Sequence, residues 1–173
     1  MTLIESLYKQ NQEIANYLKG KDEVTFASDL NASLGKLLVM AMGSYFECEI
    51  TNLIMDYITE KTNQHKSISS FVKNKAISRQ YHTYFQWKDN NANSFFGLFG
   101  EDFKNNCISQ VRAIPNLAEG IKAFIEIGVW RNHLAHENFN SIDLPKTAEE
   151  FYDLYNKAEF FLSFFKKQLK NST

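Results

Sequence analysis

Two prolines, Pro115 and Pro145, are the only ones in 173 residues. With so few breaks, nearly every backbone N–H can donate within long uninterrupted stretches, which favours helices over short strands joined by turns. The apolar residues repeat to match. Leu3, Leu7, Ile14 and Leu18 mark a first helix over residues 3–19, which Gly20 and Lys21 end. A longer helix is expected from Ser28 to Lys61, with Leu34, Leu38, Ala41 and Tyr45 on one stripe and Phe46, Ile50, Leu53 and Tyr57 on the next. Gly43-Ser44 interrupts it and marks a bend or a close helix contact.

Residues 66–85 read as one or two short helices, and 101–112 as another. Between them, Trp87–Gly100 is rich in Asn and Gly, so turns are expected. Its Phe95, Phe96, Leu98 and Phe99 cannot all stay in water, so this stretch is expected to fold back onto the bundle or onto a partner. Pro115 opens a helix from about Asn116 to at least Arg131, whose inner face is Leu117, Ile121, Phe124, Ile125 and Gly128. Residues 137–146 form a loop. Thr147 followed three residues later by Glu150 is a capping box for the last helix, whose stripe runs Phe151, Leu154, Tyr155, Ala158, Phe161, Leu162, Phe165. Lys166, Lys167 and Lys170 complement the dipole at its end. With no repeat and no strand pattern, the chain reads as a single all-α domain over residues 1–173.

Composition narrows the partners. A net charge of −1 argues against long, nonspecific phosphate tracking, yet permits a compact site acting on one phosphate. Aromatics make up 14% of the chain, 15 of them Phe, more than a bundle of this size obviously needs, which suggests that some lie in a subunit interface. Cys48 and Cys107 make no disulfide framework. The start, MTLIESLYKQ, lacks signal-peptide character, and no run approaches the roughly 18 apolar residues of a membrane span. The expectation is a soluble, cytoplasmic protein without membrane contact.

Chemistry concentrates in Arg131-Asn132-His133-Leu134-Ala135-His136. Asn132 and His136 are four apart and share a helix face. Arg131 and His136 are five apart, about 140° around a helix of roughly 3.6 residues per turn. Either a swing of the long Arg side chain or an uncoiled last turn brings them together. These residue types suit RNA, which carries its own nucleophile in the 2′-hydroxyl. Cleavage needs a base for that proton, an acid for the leaving 5′-oxygen, and positive charge on the phosphate. Histidine serves as acid or base near neutrality, and arginine grips phosphate bidentately without losing its proton. Asparagine offers a donor and an acceptor to orient either.

Bland readings stand beside these. Arg131 and His136 are otherwise a surface cation and a helix-capping imidazole, and Asn132 a helix-end residue bonding local carbonyls. His133 reads as a solvent-facing neighbour with a lesser claim on the site, and Trp130 as core. Glu47, beside the apolar stripe of the long helix, either pairs with Arg131 or stays a solvated acid. His133 and His136 are half a zinc site at most, because His65, His82, Cys48 and Cys107 show no ligand spacing.

The segment R-N-H-L-A-H resembles the R-N-x-x-x-H motif of the HEPN superfamily. Ser44-Tyr45-Phe46-Glu47 in a long helix resembles the S-x-F-E helix of its RiboL-PSP-HEPN branch, and the Asn-rich stretch leading to Leu98-Phe99-Gly100 resembles that branch's middle segment. Together these cover most of residues 33–165. The resemblance implies an up-and-down helical bundle that dimerises, with two motifs facing one cleft. It implies a metal-independent endoribonuclease that needs no cofactor and leaves 2′,3′-cyclic phosphate ends, with Arg131 on the phosphate, His136 as base or acid, and Asn132 in support. It also implies a toxin or anti-phage role, often with a neutralising antitoxin partner. The alternatives are an RNA-binding HEPN protein that does not cut, and a HEPN module that only engages another protein.

Overall fold

The computed structural model describes residues 2–172. Its elements are α1 (Leu3–Lys19), α2 (Val24–Lys61), α3 (Lys66–Val72) running into a π-helical turn (Lys73–Ile77), α4 (Tyr81–Tyr84), α5 (Asn93–Gly97), α6 (Glu101–Ala113), α7 (Leu117–His136), a 3-10 turn (Phe139–Ser141) and α8 (Ala148–Asn171). There is no strand among the described residues.

The frame is four long helices, α1, α2, α7 and α8. A short turn joins α1 to α2, so the two run antiparallel. Helix α8 begins beside Gly35 of α2 and ends where Lys61 donates to the Ser172 carbonyl at 2.6 Å, so α2 and α8 run parallel. Helix α7 returns between them in the opposite sense. Tyr8 stacks on Tyr152 at 4.1 Å, and the Tyr155 hydroxyl lies 3.2 Å from that of Thr2, which docks α1 on α8. The result is an up-and-down bundle, with α3 to α6 inserted between its second and third long helices.

Helix α2 is its spine. Leu34, Leu38, Met42, Phe46 and Ile50 are buried in the core. It has the length and apolar content of a membrane span, although the sequence led us to expect none. The reason lies in its central position, which needs apolar side chains on more than one face.

The last helix starts on the expected capping box: Glu150 N–H donates to the Thr147 hydroxyl, and the Glu150 carboxylate accepts from Thr147 N–H. The helix after Pro115 starts one residue later than expected, because Asn116 takes the capping position with φ 64°. In α1 the expected face is rotated. Ile4 and Ala15 are buried, whereas Leu3 and Ile14 are exposed. The caps explain the rotation: Thr2 accepts from Glu5 N–H and bonds to Tyr155, which turns Ile4 rather than Leu3 inward.

Most of the aromatic content is absorbed inside the protomer. Phe46, Phe95, Phe96, Phe124, Phe151, Phe161 and Phe165 are fully buried. The 87–100 stretch folds back as expected, with Phe95 against Phe85, at 4.4 Å between ring centres, and against Phe165 at 4.8 Å. Leu98 stays exposed. Cys48 is exposed and Cys107 buried, both unpaired, and burial pushes the Cys107 thiol up to about 12.

Candidate active-site cleft

Helix α7 stays helical through His136, and Glu137 caps it by donating its N–H to the His133 carbonyl. No uncoiled turn is needed to join Arg131 and His136. Both line one open cleft of about 560 Å³, together with Asn132 and Glu47. Helix α2 makes room for the Arg side chain. Gly43 has no side chain, and a Cβ there would lie 2.8 Å from the Arg131 Cβ and closer still to its Cγ. The stem of Arg131 therefore lies flat on the α2 backbone. Helix α2 passes unbroken through Gly43-Ser44, and the glycine marks a close contact with Arg131.

The guanidinium is held at both ends. Nη2 donates to Glu47 Oε2 at 2.9 Å, and Nη1 donates to Asn132 Oδ1 at 3.3 Å. Each terminal nitrogen keeps one further N–H, which is what bidentate capture of a phosphate requires. Nε is buried and has no acceptor among the described residues. Glu47 and Arg131 are only partly buried, so their ion pair is chiefly an orienting device and not a source of stability.

His133 goes elsewhere. Its Nδ1 lies 2.7 Å from Glu137 Oε1, and its ring packs at 5.4 Å against that of Trp130. It does not line the cleft, because its position on α7 points away from Asn132 and His136. Trp130 is half-buried against a small cluster of Val39, Leu134, Ile142 and Phe151. The loop after His136 is fastened by Lys36, which donates to the Phe139 carbonyl at 3.0 Å, and by Lys146, which pairs with Glu126 at 2.6 Å.

The opposite wall of the cleft was not anticipated. It comes from the segment around α4 and supplies Arg79, Tyr81, His82 and Trp87. Trp87 seats on Gly128 of α7, where a Cβ would lie 2.8 Å from the ring Cε3, and its indole N–H donates to the His82 carbonyl at 2.8 Å. Tyr81 is buried. Desolvation raises its hydroxyl well above the ordinary value, the Glu47 carboxylate adds to that, and Arg131 opposes it. The only sequence signal for this wall was the pairing of Arg79 and His82 three residues apart in a short polar stretch. Among the described residues no three or more His, Cys, Asp or Glu side chains converge as a metal cage.

An all-helical frame whose third long helix ends in R-N-x-x-x-H above an open cleft defines a HEPN-type protein. The family model described as RiboL-PSP-HEPN matches residues 5–171, and the chain belongs to that family. No curated protein and no solved structure matches it.

Proposed function

We propose that this protein is a metal-independent endoribonuclease. Family membership supports an RNA-related role. The observation that carries the finer reading is the meeting of Arg131, Asn132 and His136 in one cleft, with the guanidinium oriented by Glu47.

In this reading Arg131 binds the scissile phosphate and stabilises the charge of the pentacoordinate state. An imidazole takes the 2′-hydroxyl proton, the 2′-oxygen attacks phosphorus, the P–O5′ bond breaks, and an imidazolium protonates the departing 5′-oxygen. The products carry 2′,3′-cyclic phosphate and 5′-hydroxyl ends. Asn132 holds the Arg131 guanidinium, and Glu47 is a positioning residue. A homodimer with facing clefts supplies a second Arg131 and a second His136, hence both acid and base. The biological role is that of a cytoplasmic toxin or anti-phage effector, restrained by a neutralising protein partner.

Purified protein incubated with labelled RNA in EDTA should cut it, and end-group analysis should find cyclic phosphate. Arg131→Ala and His136→Ala should each lower the rate at least about 10²-fold with the fold intact by circular dichroism. Wild-type rates in both variants would remove the mechanism. Intact RNA with measurable affinity would leave a binding module.

A further inference from the structure

Arg79 and His82 face the same cleft as Arg131 and His136 from its far wall, and the ribonuclease reading gives them no task. Neither side chain makes a hydrogen bond or ion pair within the described residues, whereas Arg131 is held by Glu47 and Asn132. Both are solvent-exposed. Their backbone is nevertheless fixed. The Trp87 indole holds the His82 carbonyl, the Trp87 ring sits on Gly128, and Tyr81, buried between them in sequence, packs against Trp87 and Phe85 at 5.8 and 6.0 Å. Arg79 itself adopts φ 62°, a left-handed conformation that an Arg rarely takes without surroundings that impose it.

Charge points the same way. The chain as a whole carries −1, yet this cleft sets two guanidiniums and two imidazoles against one carboxylate, and that carboxylate is already engaged by Arg131. An unpaired guanidinium on a rigid wall, facing a phosphate-binding one, suits a polyanion that presents phosphates in series. One phosphate does not need both walls.

We propose that Arg79 and His82 form a second RNA subsite, which binds the phosphodiester next to the one held at Arg131. Arg79 grips the flanking phosphate and His82 donates a hydrogen bond beside it. This rests on the ribonuclease reading of the same cleft. It makes the protein a reader of strand length, preferring an oligonucleotide that spans both walls over a dinucleotide.

The test uses the full-length protein and a 2′-O-methyl RNA oligonucleotide, which lacks the nucleophile and cannot be cut, with affinity followed by fluorescence anisotropy at several salt concentrations. Arg79→Asn is the main variant, because Asn tolerates the left-handed backbone. It should weaken binding about tenfold and reduce the salt slope by about one phosphate contact. Arg79→Lys should restore the slope, and His82→Ala should weaken binding about threefold, the size of one modest hydrogen bond. In cleavage of unmodified RNA these losses should appear in KM and leave kcat within about threefold, and Arg79→Asn should cut a dinucleotide as well as wild type does. Arg112→Asn, exposed on α6 and outside the cleft, is the control.

Wild-type affinity and salt slope in Arg79→Asn, or an equal loss in Arg112→Asn, overturns the subsite. If the wild type cuts RNA in that case, the ribonuclease reading survives alone. If the wild type binds through Arg79 but never cuts, the subsite stands and the nuclease reading falls. A wild type that does not bind RNA sinks both.

Discussion

At Gly43 the missing side chain lets the Arg131 stem lie against the α2 backbone, and the pair between Arg131 and Glu47 depends on that seat. Gly43→Ala tests this without altering a chemical group in the cleft. The added methyl must push Arg131 outward, at a cost of about 1–3 kcal/mol, as overpacking usually does. If the nuclease reading holds, RNA cleavage should fall about tenfold or more while the helical circular dichroism signal persists. A variant that cleaves at the wild-type rate would show that the seat does not matter. The contact explains why the site was only half legible in the sequence. Arg131, Asn132 and His136 sit close together on one helix, and their residue types and the R-N-x-x-x-H pattern at its end single them out. Glu47 could be read only as either a partner of Arg131 or a solvated acid, and the crossing of α2 over α7, 84 residues away in sequence, decides for the pair.

Single helices show the same division. The capping box at Thr147 and Glu150 was legible because it is a local exchange of hydrogen bonds between residues three apart. The rotation of α1 was not, since Leu3 and Ile14 satisfy a helical spacing as well as Ile4 and Ala15 do, and contacts with α8 choose between them. Nor was the wall bearing Arg79 and His82, which has no apolar period and is placed by Trp87, on a different segment from the Gly128 that receives it. Helix α8 also carries a polar residue that its stripe does not announce. Glu159 has one carboxylate oxygen buried without a partner among the described residues, and burial raises its carboxyl above the ordinary range, while the Tyr45 hydroxyl and the Glu49 carboxylate act on it in opposite senses. A carboxyl raised in the folded state contributes stability that is complete at acid pH, below its unfolded value, and lost as pH rises through the folded one. Glu159→Gln should therefore raise the urea midpoint at about pH 7.5 and leave it unchanged near about pH 4. A gain of about 1 kcal/mol is expected, at the low end for relieving an unpaired buried polar group, because the side chain is only partly buried. Equal shifts at both pH values would mean that packing, not ionisation, is responsible.

On the scale of the whole molecule, one protomer presents His136 once and Arg131 once, so the acid and base of the proposed reaction come from pairing two copies. Sedimentation equilibrium should find a dimer. Adding excess His136→Ala to the wild type after dissociation should lower its activity, since a mixed pair keeps only one His136 and cannot supply both acid and base. Undiminished activity in mixtures shown to exchange subunits would confine the chemistry to single protomers. All-helical architecture was legible from proline scarcity and apolar period, because both act along the chain. The Trp87 ring on Gly128 carries a further consequence. The far wall is attached to α7 by an indole plug rather than built from the long helices. The exposed side chains of this segment, Arg79 and His82 among them, can thus be exchanged for others while Tyr81, Tyr84, Phe85 and the plug stay docked and α7 keeps its place.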